Sequence, residues 1–110
     1  MILNKTILIG RLANDPEVRY TTNEIPVARF SLGVNNEFNE TDFFNIVAWR
    51  GLAKICREYL KKGKCIAIEG KLQIRKYEKD GEKRTLTEIV VNDIQILDQR
   101  LFNKINKGVK

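Results

Sequence analysis

The sequence predicts an all-β domain: a small Greek-key barrel of five strands with one helix inserted between the third and the fourth. Three observations carry that expectation. Apolar and polar side chains alternate through most of the chain, a single stretch beginning at Leu52 repeats its apolar residues at helical spacing, and two long alternating segments are joined by Asp80-Gly81.

The first strand is predicted in Lys5 to Leu12 around Ile7-Leu8-Ile9, and Asn14-Asp15-Pro16 is a turn signal before a short extended piece, Val18 to Thr22. The second runs from Val27 to Val34, where Ala28, Phe30, Leu32 and Val34 share one parity while Arg29 and Ser31 lie on the other. Asn35 to Thr41 interrupts it as a polar loop. The third, Asp42 to Trp49, is largely apolar on both parities: Phe44, Ile46 and Ala48 alternate with Phe43, Asn45, Val47 and Trp49. Either both faces are covered by protein, or one faces a core and the other is an exposed aromatic platform. Leu52, Ile55, Cys56, Tyr59 and Leu60 form one helical stripe, with Gly63 placed to cap its end.

Lys64 to Tyr77 and Arg84 to Leu97 are the two long strands of a hairpin turned at Asp80-Gly81. In the first of them Ile66, Ile68, Gly70, Leu72 and Ile74 make an apolar face, backed by Lys71, Gln73, Arg75 and Tyr77. Gly70 inside a long strand fits a bend at a barrel corner. In the last strand the apolar parity changes between Val91 and Ile94, which predicts a bulge at Asn92-Asp93. Five strands with a helix between the third and fourth is the order of the oligonucleotide/oligosaccharide-binding (OB) fold. The barrel is expected to occupy residues 1–98, with 99–110 as a basic, flexible tail.

Composition narrows the chemistry. A chain of 110 residues makes one domain, and at this size about two thirds of the unfolded surface is buried without help from disulfides or metals. The chain has no His, so neither a Ser-His-Asp nor a Cys-His system nor a His-ligated metal can be built from one copy. Its carboxylates are scattered over loops and strand ends, which argues against a metal-assisted nuclease. No enzyme activity and no cofactor are expected. Cys56 and Cys65 match neither a zinc nor a redox spacing and are expected to be buried thiols. No apolar run approaches a membrane span and the start of the chain has no signal-peptide pattern, so a cytoplasmic, nucleoid-associated protein is expected. The net charge is +6, but residues 99–110 supply +4 of it and leave +2 for the rest. Charge alone is therefore a weak pointer to a polyanion, and basic side chains sharing a face with aromatic ones are the stronger one.

The blocks NKTILIGRL at 4–12, DPEVRY at 15–20, VARFSL at 27–32, LAKICREYLKKG at 52–63, IEGKLQIRKY at 68–77 and TEIVV at 87–91 stand in an order and spacing that resembles the bacterial single-stranded-DNA-binding proteins. The resemblance covers roughly residues 3 to 97. It implies sequence-independent binding of single-stranded DNA in replication, repair, recombination or DNA uptake, with bases stacked on Phe43, Trp49 and Tyr77 and with Phe38 as a further stacking position. It also implies phosphate contacts from Lys5, Arg19, Arg75 and Lys76, to which Arg50 and Lys71 are added because they lie near the aromatic face. Members of this family usually form homotetramers, and a dimer is the alternative.

The chain departs from the family pattern in three places. Only four residues separate Phe38 from Phe43, in a loop that carries Glu37 and Glu40. Asn45 and Gln73 stand where basic residues are common. The sequence closes on Gly108-Val109-Lys110, where the family continues to an acidic peptide that recruits replication and repair enzymes, so such recruitment is not expected. Two alternatives use the same surface: an RNA-binding barrel, and a primosome-like accessory protein that mainly docks on another protein.

Overall fold

The structure, a computed structural model, describes residues 1–97 and Arg100. Its elements are β1 (Thr6–Leu12), β2 (Glu17–Tyr20), β3 (Pro26–Asn35), β4 (Thr41–Trp49), α1 (Gly51–Tyr59), β5 (Cys65–Lys79) and β6 (Glu82–Ile96). Antiparallel pairs join β1 to β5, β5 to β6, β4 to β3 and β3 back to β1, while β4 and β6 run parallel through Ile46 opposite Ile89 and Val47 opposite Val90. That circuit of five strands closes an OB-type barrel, and closure removes the open edges that a flat sheet would leave unpaired.

Six strands are present rather than five. The short extended piece predicted at Val18 to Thr22 pairs with β3 from Glu17 opposite Arg29 to Tyr20 opposite Pro26, and lies outside the closed circuit. Four residues of turn-flanked sequence carry too little alternation to read as a strand alone. The basic run from 99 to 110 lies, Arg100 apart, outside the described residues.

Alternation fills the barrel as expected. Leu12, Ala28, Phe30, Leu32, Ile46, Ala48, Ile66, Ile68, Ile89 and Val91 form one buried cluster, and α1 closes it from below with Ala53, Cys56 and Leu60. Phe44, half-buried, packs against its margin. Each large apolar side chain so buried contributes about 1.5–3 kcal/mol. Both cysteines are buried, and burial pushes the Cys56 thiol up to about 11. A thiol that stays protonated is a packing group and not a nucleophile.

The helix buries part of the stripe its sequence spacing indicated, with Cys56 and Leu60 in the core and Leu52 packed against it. Ile55 and Tyr59 are exposed, and the small Ala53 takes the inward place. Ala53 and Cys56, one turn apart, centre the buried face, and Ile55 and Tyr59 fall to its margin. Gly63 is not the helix cap: the helix ends at Leu60, whose N–H donates to the Cys56 carbonyl, and Gly63 makes the following turn at φ 88°, donating to the Leu12 carbonyl at 2.8 Å.

Arg50 alone turns the chain from β4 into α1, and it does so at φ 57° and ψ −122°. A side chain rarely adopts that conformation, at a cost of about 1–3 kcal/mol. Its N–H donates to the Pro26 carbonyl at 2.9 Å and its carbonyl accepts from Lys54 at 3.2 Å, so the surroundings hold it there. Arg50→Gly is expected to raise stability by about 1 kcal/mol, read as a higher urea midpoint with an unchanged m-value.

Beyond Gly70 the hairpin of β5 and β6 leaves the barrel as an arm. The bulge falls as predicted: Glu69 opposes Asp93 and Gly70 opposes Val91, which leaves Asn92 as the extra residue. Asp80 and Gly81, at φ 53° and 78°, make the two-residue turn that closes the arm. Leu72 and Ile74, predicted on the apolar face of the strand, continue its parity but stand exposed on the arm, because past the bend no element among the described residues covers them. Asn4 follows the arm this far, its amide exchanging two hydrogen bonds, of 2.8 and 2.9 Å, with the Leu72 backbone.

Candidate nucleic-acid interface

Residues directly opposite one another in a sheet point to the same side, so the pairing registers define which side chains share the outer face. One row reads Arg19, Val27, Trp49 across β2, β3 and β4; the next reads Glu17, Arg29, Val47, Val90, Lys71 from β2 to β5. Two residues further along, Ser31 opposes Asn45 and Glu88 opposes Gln73, and beyond them Gly33 opposes Phe43 and Leu86 opposes Arg75. Tyr77 stands opposite Arg84 nearer the arm's tip. The register agrees with parity in grouping Phe43 with Trp49 and Tyr77 with Lys71 and Arg75, and it joins the two groups, with Arg19, on one face.

The three aromatic rings are open to solvent, Phe43 at 65%, Trp49 at 39% and Tyr77 at 38%. Phe43 and Trp49 are six residues apart on β4 and hence about 20 Å apart along it. Phe43 lies across the cross-strand glycine: a β-carbon on Gly33 would stand 3.3 Å from its Cε1, so the absence of a side chain there makes room for the ring. Val27 and Val47 point outward too, yet are buried, which gives this face a small apolar floor under its surrounding side chains. Phe38 is at the tip of the β3–β4 loop, 72% exposed. The Asn36 side chain ties that loop, accepting from the Phe38 and Glu40 N–H groups at 2.8 and 3.1 Å.

The basic residues divide. Arg75 stacks over the Tyr77 ring with its Cζ 5.7 Å from the ring centre. Arg19 pairs with Glu17, its Nε donating at 2.6 Å, and Lys5 pairs with Glu69 at 3.1 Å. Such exposed pairs are worth little and are readily exchanged. Lys71, Arg50 and Lys76 have no ion-pair partner among the described residues. Lys76 stands opposite Thr85 on the arm's other side, away from Arg75 and Tyr77.

Two residues of this face escaped the sequence reading. Glu88 is buried, and it holds Arg29 on one carboxylate oxygen and Arg75 on the other, the second at 3.3 Å. Arg29 was visible only as an outward residue of its strand, and Glu88 as one acid among fourteen. Their meeting depends on the registers of β3, β4, β6 and β5 together, which no local pattern announces. A depression of about 240 Å³ opens beside them, lined also by Asn14, Glu17, Ser31 and Asn45.

The model of the single-strand binding protein family matches residues 3–97. A single-stranded DNA-binding protein of Caldanaerobacter subterraneus subsp. tengcongensis is 42% identical over 106 residues, which is 90% of this chain and 71% of the relative. One from Neisseria meningitidis serogroup B is 45% identical over 94% of this chain and 64% of its own length. The single-stranded DNA-binding protein 2 of Staphylococcus aureus strain Mu50 is 41% identical over 90% of this chain and 75% of its own. The chain thus spans about two thirds of the length of these relatives. With a match that runs through every strand of the barrel and at such identities, the chain belongs to the single-strand binding protein family.

Proposed function

We propose that this chain is a non-catalytic protein that binds and protects single-stranded DNA without sequence preference, in replication, repair or recombination. Residues 1–98 are the binding unit, with 99–110 as a tail. The observation that carries this reading is the single outer face on which Trp49, Phe43 and Tyr77 are exposed among Arg19, Lys71 and Arg75. Every base has a flat face, so stacking on such rings serves any sequence, and the cations follow the phosphates. Phe38 extends the face from its loop, Lys5 and Arg50 border it, and Lys76 reaches phosphate from the arm's far side.

The test is a titration of Trp49 fluorescence with oligo-dT, duplex DNA and RNA at two salt concentrations, Trp49 being the one tryptophan of the chain. Saturable quenching by oligo-dT and weak response to the others is expected. Equal quenching by RNA would favour the RNA-binding reading, and no binding by any independent assay would leave a barrel used for protein contacts. Arg75→Ala is expected to lower the slope of log K against log salt by about 0.7, the counterion release of one single-strand phosphate contact.

Self-association belongs to the same proposal. Ile7 on β1 and the preceding Met1, Ile2 and Leu3 are exposed and apolar, with Leu72 and Ile74 on the neighbouring arm. β1 pairs with β3 only at Arg11 and Leu12, so a second copy would pair along the rest of that edge and give a homotetramer built from dimers, which light scattering coupled to size exclusion would measure. Several barrels on one strand multiply weak stacking contacts into tight binding. Among the described residues no helix is long and apolar enough to cross a membrane, and we place the protein in the cytoplasm with its DNA.

A further inference from the structure

We propose that Arg29 is a further phosphate-binding residue of the outer face and that Glu88 is a positioning residue, bracing Arg29 and Arg75 so that both guanidiniums are presented to the DNA backbone. The inference rests on the reading of this face as a single-strand binding surface and adds to it a central anion subsite.

Glu88 is the one buried charged side chain among the described residues. A carboxylate taken out of water is stable only when its oxygens are paired, and here each oxygen serves a different arginine: Oε2 accepts from Nη1 of Arg29, and Oε1 meets Nε of Arg75 at 3.3 Å. The arginines come from β3 and β5, with β4 and β6 between them, so the acid ties the barrel wall to the base of the arm. Neither arginine is used up. Arg75 meets Glu88 through Nε, which leaves its two Nη atoms without an acceptor among the described residues, and Arg29 keeps Nε and Nη2. Their side chains are 39% and 47% exposed, against 8% for Glu88. Donors held at the rim and an acceptor sunk beneath them is an arrangement that meets an anion with the positive groups first.

Around them the depression offers neutral hydrogen-bonding groups, Ser31 and Asn45, and the Tyr77 ring lies under Arg75. Arg29, Arg75 and Glu88 sum to +1 between Phe43, Trp49 and Tyr77, and Glu17, the other carboxylate lining the depression, is matched by its own partner Arg19. A guanidinium already fixed in direction loses less rotamer freedom when it takes a phosphate, and its planar fork matches two phosphate oxygens.

A carboxylate in a polyanion site has another possible effect, simple repulsion, and the two effects predict opposite results for Glu88→Gln. Wild type, Arg29→Gln, Glu88→Gln and the double variant are titrated with oligo-dT across a salt series, with a thermal melt of each. Arg29→Gln, which leaves Glu88 paired to Arg75, is expected to fold, to weaken binding and to lower the salt slope by about 0.7. Glu88→Gln is expected to weaken binding by about 2- to 10-fold although it makes the protein more positive, the range that fixing one long side chain is worth. The double variant is expected to bind more weakly than either single variant but by less than the product of their losses, because part of the Glu88 effect runs through Arg29 and the rest through Arg75.

Tighter binding and a steeper slope for Glu88→Gln would overturn the brace, as would an unchanged slope for Arg29→Gln. Should Glu88→Gln fail to fold, Arg29→Lys decides: an unchanged slope with weaker binding supports an oriented fork, and wild-type affinity refutes it. Absence of oligo-dT binding by the wild type would instead sink the reading of the whole face, an outcome distinct from all of these.

Discussion

Replacing Trp49 by Ala is expected to weaken oligo-dT binding by about 1–3 kcal/mol, roughly 5- to 150-fold, while leaving the fold in place. Trp49 ends β4 opposite Val27, on the outward parity, and it is not among the residues that fill the barrel. Its removal costs the stacked base and the cover over part of the valine floor, so the melting temperature should fall by only a few degrees. The measurement is anisotropy of a labelled oligo-dT with a thermal melt alongside. Tyr77→Ala should behave alike, and since the two rings stand on different strands with no shared partner, their losses should nearly add. A Trp49→Ala protein that unfolds, and whose folded remainder binds with wild-type affinity, would make the ring a structural group.

The largest effect on stability is expected at Gly70. A β-carbon there would stand 2.4 Å from the Val90 carbonyl oxygen and 3.0 Å from the Val91 Cα, both backbone atoms that cannot swing aside. Gly70→Ala must therefore push β6 away at the bulge, which should cost about 3 kcal/mol or more and show as a large fall in urea midpoint. Gly10→Ala meets the Gly33 carbonyl oxygen at 2.2 Å, where β1 and β3 close the barrel, and should be as damaging. Gly51, with nothing within 4 Å and no positive φ, is the control: Gly51→Ala should be neutral or stabilising by up to about 1 kcal/mol. Equal midpoints for all three variants would show that the sheet spreads more easily than its close contacts imply.

Much of the candidate site was legible because it obeys period two. Phe43 and Trp49 share a strand parity, Arg75 and Tyr77 share another, and the structure exposes all four. Lys76 lies on the opposite side of the arm, a consequence of the same alternation that its place beside Arg75 in the sequence disguises. The helix stripe misled in part because spacing tells which residues share a face but not where the buried face is centred; Ala53 is inside and Tyr59 at its margin. Leu72 and Ile74 misled for the related reason that an alternating strand can run past the body it would be packed against.

By itself the sequence determined the barrel's strands, the bulge at Asn92, the Asp80-Gly81 turn and the aromatic parity, since each follows from backbone geometry within a few residues of chain. Only the tertiary structure decided that β2 is a paired strand, where the apolar faces stop being covered, and that Glu88 sits between Arg29 and Arg75. Those facts depend on contacts between residues as far apart in the chain as Arg29 and Glu88, 59 positions, and meeting at that range is set by closure of the whole barrel rather than by any local pattern.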